Sequence, residues 1–254
     1  MQEGRVFQGY YDHYCDLPLY IFCGSDLLCA NVRPTKIDGA EGSVEEVERI
    51  VIALRGKWPD VRIILRGDGG FCREWLMVWC EENDVDYLLG YSRNKRILKM
   101  IQPALQSARR AQEILGGSVR VFQELRYKTL TSWSKERRVV AKAEVLPGKE
   151  NPRFIVTSLP VNYAGAAGLY EQHYCARGDM ENRIKEQQLG LFADRTSTHT
   201  MRANQLRDWL SGIAYSLLND LRELALSTTK LAKAQCSSLR VWLLKIGALV
   251  KVSV

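Results

Sequence analysis

Two acidic residues of this sequence stand where metal-assisted chemistry on phosphates could take place, and the first is Asp68. It follows the apolar run VRIIL (61–65) within the glycine-rich turn formed by residues 66–70. Ligands bind at the carboxyl ends of buried parallel strands, and glycines let a substrate backbone approach closely. Asp68 is therefore a candidate metal ligand, although an aspartate at a strand end can also simply cap the next helix.

The second acidic residue is Glu181, which shares a spaced pattern with Tyr174, Arg177 and Gln188. Offsets of three, four and seven residues place side chains on one face of a helix. A guanidinium grips phosphate oxygens as a bidentate fork, and a carboxylate offers the hard oxygen ligands that Mg²⁺ prefers. This pattern predicts a surface that holds a metal ion beside a phosphate. The alternative is a solvated helix with ordinary salt bridges.

Two carboxylates on separate elements indicate phosphoryl transfer assisted by two metal ions. In that chemistry one ion activates the attacking oxygen and the other stabilises the leaving oxygen, about 3.5–4 Å away. Mg²⁺ suits this role because it binds through few carboxylates and leaves coordination positions open for substrate oxygens. Asp68 and Glu181 are thus predicted to be catalytic through the ions that they bind.

The positive charge of the chain is concentrated in one segment. The chain has a formal net charge of +7, whereas residues 93–142 contain 13 Lys or Arg against 3 acids. The segment is therefore +10 and the rest of the chain −3. Such an excess is expected for a surface that neutralises phosphates, with a solvated charged face as the alternative. The candidates for a DNA-contacting surface are Lys95, Arg96, Arg137, Arg138 and Lys142.

Strand-like and helical patterns alternate in residues 17–92 and predict an α/β arrangement that positions Asp68. Residues 17–33 indicate two strands joined by a turn at 24–26. Residues 43–57 indicate a helix that begins with a capping box of Ser43 and Glu46. VRIIL is interpreted as a strand buried on both faces, followed by a helix at 72–83 and a strand at 85–92. This order predicts parallel pairing with right-handed crossovers.

The patterns change after the predicted helix at 94–115. Three strand-like runs, at 120–130, 135–146 and 153–159, predict an antiparallel β unit. Within this unit Tyr127 and Trp133 could stack on a flipped base, although packing is the commoner role of such residues. Long helical patterns follow at 168–191 and 201–226.

The composition excludes several classes of protein. A hydrophobic fraction of 46% and a charged fraction of 26% are ordinary for a folded soluble protein. No stretch approaches the ~20 apolar residues of a membrane span, and the polar N-terminal residues do not resemble a signal peptide. These absences predict a cytoplasmic location. The seven cysteines form no CxxC pair and are interpreted as small buried hydrophobic residues in a reducing environment.

Three long phrases carry a specific family resemblance. They are GYYDHYCDLPLYIFCG (9–24), LRGDGGFCREWLMVWCEENDVDYLLGYSRN (65–94) and YCARGDMENRIKEQQLGLFADRTSTHTMRANQLR (174–207). They resemble the transposases of the insertion-sequence 1380 family, which belong to the DDE transposases that have a Y-R-E signature and a β insertion. The similarity covers nearly the whole chain.

The resemblance implies an RNase H-like α/β core with an inserted β-rich subdomain between the second and third acids of an Asp-Asp-Glu triad. It implies cut-and-paste DNA transposition with two Mg²⁺ or Mn²⁺ ions. The predicted domains are a first part of the core at 1–92, a basic β-rich insertion at 93–152, and the second part of the core with C-terminal helices at 153–254.

Individual residues match the motifs of the family. Asp68 matches the second acid, in a motif that usually reads D-S-G-F and here has Gly69 in place of serine. Glu181 matches the third acid. Tyr174 and Arg177 match the signature residues that contact DNA near the cleaved end. The family group has lysine at the position of Gln188, so a lysine contact there is not carried over. The further DNA-binding candidates on this helix are Lys185 and Gln188.

The first acid of the triad has no match in this sequence. In the family it lies on the central strand, upstream of the stretch QEGRVFQGYYDHY, and Asp12 and Asp16 have the wrong neighbours. The expectation is a core that lacks its first, central strand, with unpaired backbone groups on the YIFC and VRIIL strands. Little or no strand cleavage by this polypeptide is expected.

Two functions of different classes follow from these patterns. The first is a DNA transposase that acts on transposon ends and target DNA. The resemblance implies a homodimer on the DNA, and the absence of export signals predicts a cytoplasmic, nucleoid-associated location. The alternative is a non-catalytic remnant that binds DNA or pairs with a full-length transposase. A nuclease of similar fold is a third, remote possibility, because the phrases match transposases.

Overall fold

The computed structural model of this protein describes residues 2–9, 12–245 and 247. Tyr10 and Tyr11 of the first resemblance phrase lie outside the described residues. The strands are β1 (Val6–Gln8), β2 (His13–Cys15), β3 (Leu19–Cys23), β4 (Asp26–Asn31), β5 (Ile64–Gly67), β6 (Asp86–Tyr91), β7 (Val119–Tyr127), β8 (Arg137–Leu146), β9 (Lys149–Glu150) and β10 (Arg153–Thr157). The α-helices are α1 (Ser43–Arg55), α2 (Glu74–Glu82), α3 (Lys95–Met100), α4 (Gln102–Leu115), α5 (Ala166–Gly168), α6 (Gly178–Lys185), α7 (Met201–Leu224) and α8 (Cys236–Leu239).

The chain divides into two compact units. One consists of Met1–Asp38 together with Gly178–Val254, and the other of Gly39–Arg177. The second unit contains a mixed sheet with the strand order β5-β6-β10-β8-β7, in which β9 also pairs with β8. This mixed α/β architecture is consistent with an RNase H-like fold. The division of the chain into a core at 1–92 and 153–254 with an insertion at 93–152 stays a prediction.

Strand pairing in this sheet follows the sequence patterns on both sides of α2. β5 and β6 are parallel, with Gly67 opposite Leu89, as the strand-helix-strand order predicts. β7, β8 and β10 pair antiparallel, which confirms the predicted antiparallel β unit. β10 also pairs antiparallel with β6, so this β unit continues the sheet that contains β5.

Two predictions about the strands before β6 are wrong. VRIIL is not buried on both faces, because Arg62 is exposed and Ile63, Ile64 and Leu65 are only half-buried. The strand begins at Ile64 and forms an edge of the sheet. An apolar run marks a strand but does not reveal how many neighbours it has. The predicted hairpin at 17–33 is confirmed as β3 and β4, but these strands form a separate antiparallel sheet rather than pairing parallel with β5.

The core of the Gly39–Arg177 unit lies at β6, β8 and β10. Leu88, Val140 and Ile155 are fully buried and pack with Leu159 and Leu169. Helix α4 packs against β7 and β8 through a face that includes Ala104, Leu105 and Ala108. The apolar runs in these strands thus form the layer that supports the end of β6.

Three helix predictions need correction. Ser43 is not the cap of a capping box, because Gly42 precedes the helix with a φ of 74° and Ser43 is already within α1. The predicted helix at 94–115 is broken at Ile101 into α3 and α4, just before Pro103. The helix at 168–191 is not regular, since π-helical segments occur at Leu169–Tyr174 and Glu186–Gly190 and a 3₁₀ turn at Cys175–Arg177.

The unit formed by Met1–Asp38 and Gly178–Val254 contains α7, which confirms the long helix predicted at 201–226. Tyr20 of β3 donates a hydrogen bond of 2.9 Å to the buried carboxylate of Asp208. Gln205 accepts from the Val32 N–H and donates to the Ala30 carbonyl. These contacts attach α7 to the β3–β4 hairpin.

No helix within the described ranges is both long enough and apolar enough to cross a membrane. The interpretation of the cysteines is correct only in part. All seven are free, and Cys29, Cys80 and Cys236 are buried, but Cys23 and Cys175 are exposed.

Candidate active-site cleft

Asp68 lies at the carboxyl end of β5 in a turn that its own atoms stabilise. The Gly70 N–H donates a 2.8 Å hydrogen bond to Asp68 Oδ1, and the Phe71 N–H donates to the Asp68 carbonyl at 3.1 Å. The side chain is otherwise exposed. The turn therefore presents a carboxylate to solvent from a defined position at the edge of the sheet.

Gly90 of β6 permits a close approach between the Asp68 turn and Tyr174. A Cβ atom at position 90 would lie 2.5 Å from Tyr174 Oη, 2.9 Å from the Gly69 nitrogen and 3.2 Å from the Asp68 carbonyl carbon. Real Cβ atoms essentially never come within 3.0 Å of another heavy atom, and two of these distances are shorter, so only a glycine fits. The turn and the tyrosine therefore meet over the end of β6.

Tyr174 and Arg177 form a pair on this side of the sheet. The Arg177 guanidinium lies 5.7 Å from the centre of the Tyr174 ring. Burial raises the pKa of the Tyr174 phenol, and Asp68 adds to this shift, whereas Arg177 opposes it. The phenol is therefore neutral at pH 7 and can donate a hydrogen bond to an oxygen atom in front of Asp68.

These residues line a cleft of about 650 Å³ that contains several more cations. Its wall is formed by the ends of β6 and β10, the β9 hairpin and the π-helical segment. The residues that matter for its chemistry are Asp68, Tyr91, Arg93, Lys149, Glu150, Arg153, Tyr170, Tyr174 and Arg177. A carboxylate beside several cations is the arrangement expected where a metal ion and phosphate oxygens meet.

The structure brings Asp68, Tyr174 and Arg177 to one cleft. Glu181, Lys185 and Gln188 belong to the other unit, where Glu181 and Lys185 are exposed and Gln188 is half-buried. Lys185 lines a smaller cleft of about 260 Å³ together with Glu186, Gln235 and other residues of that unit. The catalytic role of Glu181 stays a prediction.

Arg93, Lys149 and Arg153 line the cleft but were not among the predicted site residues. A sequence signal for Arg93 existed, since it follows the apolar strand at 85–92 just as Asp68 follows VRIIL. Lys149 and Arg153 flank the turn between β9 and β10. This turn lies at the cleft only because β10 pairs with β6. That pairing is not visible in the sequence.

Arg137 and Arg138 were predicted on the DNA-contacting surface, and both predictions are wrong. The two residues are 3% and 5% exposed. Arg137 forms ion pairs with Glu74 and Glu81, and Arg138 with Glu124, at 2.6–2.8 Å. Both faces of β8 are covered, so the two guanidinium groups lie inside the unit, where these acids neutralise them. They cannot reach a phosphate backbone.

The other predicted basic residues differ in exposure. Lys142 pairs with Glu144 at 2.7 Å and its side chain is 12% exposed, and its place on a DNA surface stays a prediction. Lys95 and Arg96 are exposed, as the prediction requires. Arg96 donates to the Lys128 carbonyl, which holds its guanidinium at the surface.

Tyr127 and Trp133 pack rather than stack on a base. They are 3% and 4% exposed, and their ring centres lie 5.8 Å apart. Tyr91 completes the cluster, at 5.7 Å from Tyr127 and 5.1 Å from Trp133. The packing alternative is confirmed, because rings buried in this way offer no face to a flipped base.

Asp68 fits the chemistry of a Mg²⁺ ligand but does not form a complete site by itself. Within residues 2–9, 12–245 and 247, no group of three or more His, Cys, Asp and Glu side chains could hold a metal ion. Mg²⁺ in phosphoryl-transfer sites uses one or two carboxylates, with waters and substrate oxygens as further ligands. The exposed carboxylate at the mouth of a cationic cleft suits one such position.

The Gly90→Ala variant tests the close approach over β6. We expect it to lower the free energy of unfolding by about 1–3 kcal/mol, as overpacking does, because the new methyl group must displace Tyr174 and the Asp68 turn. Urea denaturation followed by circular dichroism measures the change. Adding Tyr174→Phe should recover part of the loss, since the phenol oxygen is the nearest obstacle.

The matched control for this variant is Gly117→Ala. A Cβ atom at Gly117 has no heavy atom within 4 Å, so this substitution should change stability by less than about 0.5 kcal/mol. Equal stability of the two alanine variants would show that Tyr174 does not lie against β6 in solution.

Comparison with protein-family models gives a match over the whole chain. The model described as "Transposase DDE domain group 1" matches residues 1–254. A comparison with curated proteins finds no match. The full-length match includes both carboxylates named above and every residue of the Asp68 cleft.

Proposed function

We propose a role in DNA transposition for this chain, which belongs to the family of group 1 transposase DDE domains. Within that family, the Y-R-E pattern and the long phrases at 65–94 and 174–207 favour the insertion-sequence 1380 transposases. The reaction that fits is cut-and-paste transposition by phosphoryl transfer. The observation that carries this proposal is the presence of Asp68, Tyr174 and Arg177 in one cationic cleft.

Asp68 and Glu181 would hold the metal ions in this proposal, Mg²⁺ or Mn²⁺. When bound, the ions supply Lewis-acid stabilisation of the phosphate and activation of the attacking oxygen. Arg177 would hold phosphate oxygens beside Asp68, because its guanidinium lies next to Tyr174 at the cleft wall. The neutral Tyr174 phenol would orient the same group by donating a hydrogen bond.

DNA outside the cleft would contact exposed basic residues. Lys95, Arg96 and Lys185 are exposed, and Gln188 can add a hydrogen bond from its amide. Such contacts are independent of base sequence and weaken as salt concentration rises. A homodimer on paired DNA ends and an association with the nucleoid are part of the proposal, and both rest on the family resemblance.

We propose further that residues 1–254 alone cleave DNA weakly or not at all, since no residue of this sequence matches the first aspartate of the family. Placing a segment with that aspartate in front of Met1 should produce metal-dependent cleavage of transposon-end DNA. Continued absence of cleavage would favour the alternative function, a non-catalytic protein that binds DNA or pairs with another transposase.

The direct test of the carboxylate role is isothermal titration of Mn²⁺ and Mg²⁺ into the purified chain. Asp68→Asn should weaken metal binding by about tenfold or more, because it removes a charged hard ligand. The asparagine keeps an oxygen that can accept from the Gly70 N–H, so the turn should persist.

Asp60→Asn is the matched control, since Asp60 is an exposed aspartate of the same unit outside the cleft. It should bind metal like the unmodified chain. Equal metal affinity of the unmodified chain and the Asp68→Asn variant would contradict the assignment of Asp68 as a metal ligand.

A further inference from the structure

We infer that Arg93, Lys149 and Arg153 form a phosphate-binding subsite for single-stranded DNA on the wall of the Asp68 cleft. The inference deepens the proposed function and rests on it for the identity of the ligand as DNA. It assigns a binding role to residues that lie outside the Y-R-E pattern.

Arg93, Lys149 and Arg153 combine a place in the cleft lining with the absence of an ion-pair partner among the described residues. The chain neutralises many of its basic groups internally: Arg137 with Glu74 and Glu81, Arg138 with Glu124, Lys142 with Glu144, Arg109 with Glu150, and Arg120 with Glu171. Arg93, Lys149 and Arg153, by contrast, form no side-chain hydrogen bond or ion pair with any residue that the structure describes. All three are exposed. Their charges are therefore available to a ligand.

The acidic residues of the cleft do not cancel this charge. Glu150 is paired with Arg109, whose side chain reaches it from α4. Asp68 is the other acid of the lining, and Arg177 lies on the same wall. The cleft consequently keeps a net positive potential beside a carboxylate, which favours a phosphodiester over a neutral or cationic ligand.

Strand register places two of the three cations at the same end of the sheet. Phe154 of β10 is opposite Tyr91 of β6, so Arg153 and Arg93 lie just beyond the paired residues. Lys149 lies in β9, where it pairs with Leu146 at the end of β8. The three residues therefore come from two distant chain segments, the end of β6 and the β9–β10 hairpin, that converge on one opening, an arrangement that a solvated charged face does not require.

The size of the cleft favours a single strand over a duplex. A volume of about 650 Å³ is in the ~300–1,000 Å³ range of sites that enclose one small ligand, roughly one or two nucleotides. A duplex has a major groove of about 12 Å and presents its phosphates on a much broader surface. Cationic grooves with aromatic residues in their walls are the usual sites for single strands, and here Tyr91 and Tyr174 lie in the wall.

The test compares two triple variants that remove equal charge. One is Arg93→Ala/Lys149→Ala/Arg153→Ala. The control is Lys99→Ala/Arg110→Ala/Arg126→Ala, which removes three exposed cations of the same unit that do not line the cleft. Fluorescence anisotropy follows the binding of a labelled oligothymidylate of about 12 nucleotides, within the ~4–16 that single-stranded sites span. A duplex of the same length is measured in parallel, and EDTA is present throughout.

The cleft variant should bind the oligothymidylate about tenfold or more weakly, while the control triple stays within about threefold of the unmodified chain. The slope of log affinity against log salt should fall by about 2, because each single-strand phosphate contact contributes about 0.7. The loss of affinity for the duplex should be smaller than the loss of affinity for the single strand.

Equal losses in the two triple variants, or equal losses for single strand and duplex, would overturn the inference. The circular dichroism melting curve checks folding, and Arg93→Gln/Arg153→Gln replaces the triple variant if that protein does not fold. Because EDTA removes metal ions, a failed metal titration at Asp68 refutes only the proposed catalytic role. A normal metal titration with an unaffected cleft variant refutes only the subsite.

Discussion

Replacing Arg137 with methionine is expected to lower the free energy of unfolding by about 3 kcal/mol. Breaking a buried ion pair by removing one partner costs about 3–5 kcal/mol, because it leaves an uncompensated charge in a poorly solvated place. The lower end applies here because the Glu74 side chain is 24% exposed and the Glu81 side chain 16%. Urea denaturation at pH 7 measures the loss.

The geometry around Arg137 explains the size of this effect. Its guanidinium donates to Glu81 Oε1 at 2.8 Å and Oε2 at 3.0 Å, and to Glu74 Oε2 at 2.7 Å. Tyr87 donates to the same Glu81 oxygen that Arg137 Nε reaches. One cation thus joins α2 to β8, and its removal deprives the carboxylates of Glu74 and Glu81 of their shared buried partner.

The ionisation of these carboxylates adds a pH dependence. Burial by itself would raise the pKa of Glu81, but hydrogen bonds from Arg137, Tyr87 and Lys135 together lower it below the usual 4.5. A lowered pKa in the folded state gives stability that is present above pH 4.5 and is lost as the pH falls through the folded value. The Arg137→Met variant should lose less stability on acidification than the unmodified chain.

Lys135→Met provides the control for charge removal. Lys135 also pairs with Glu81, at 3.0 Å, but its side chain is 59% exposed. An exposed ion pair contributes about 0–1 kcal/mol, so this variant should be nearly as stable as the original. If both variants are equally stable, the Arg137 cluster does not stabilise the fold as described. Adding Glu74→Gln and Glu81→Gln to Arg137→Met should recover part of the loss.

The Asp208→Asn variant is expected to remove a pH dependence from the other unit. Burial raises the pKa of Asp208 from 3.8 to about 6, and the hydrogen bond from Tyr20 opposes the shift only in part. The second carboxylate oxygen, Oδ2, has no hydrogen-bond partner within the described ranges. The charged form of Asp208 is therefore poorly solvated in the folded protein.

The sign of the effect follows from proton binding. Between pH 3.8 and about 6 the folded state binds more protons at Asp208 than the unfolded state. Stability therefore decreases as the pH rises through this window, by about 3 kcal/mol in total for a shift of about two pKa units. Between pH 5 and pH 8 the unmodified chain should lose about 1–2 kcal/mol through this group.

In the Asp208→Asn variant that contribution disappears, because an amide does not titrate. Urea denaturation at pH 5 and pH 8 gives the two free energies for each protein. Asp220→Asn is the control, since Asp220 is an exposed aspartate on the same helix and should leave the difference unchanged. An Asp208→Asn variant with the same pH difference as the unmodified chain would rule out a buried, protonated Asp208.

The elements around the cleft were predictable from local patterns, whereas the pairing of distant groups was not. The strand-like runs at 120–130, 135–146 and 153–159 predict β7, β8 and β10, and the apolar run before Gly67 predicts a strand that ends at Asp68. Local patterns depend on neighbours within a few residues. They say nothing about Glu74 and Glu81, which lie 63 and 56 residues before Arg137 and neutralise it.

The same limit explains the errors about DNA contacts. A count of charges treats Arg138 and Lys95 alike, although one is buried against Glu124 and the other is exposed. The spacing of Tyr174, Arg177 and Glu181 assumes a regular helix, and the π-helical and 3₁₀ segments break that regularity. Irregular turns of this kind have no reliable mark in a single sequence.

The contact at Gly90 has a consequence for how relatives of this chain can vary. A methyl group at position 90 would overlap the Tyr174 phenol and the backbone of the Asp68 turn. Substitutions at these positions are therefore not independent of one another. A relative with a larger residue at position 90 should carry a smaller residue in place of the tyrosine, or a turn of different length after β5. In related sequences we therefore expect correlated substitutions, in which the glycine is replaced only when the residues that contact it are replaced as well.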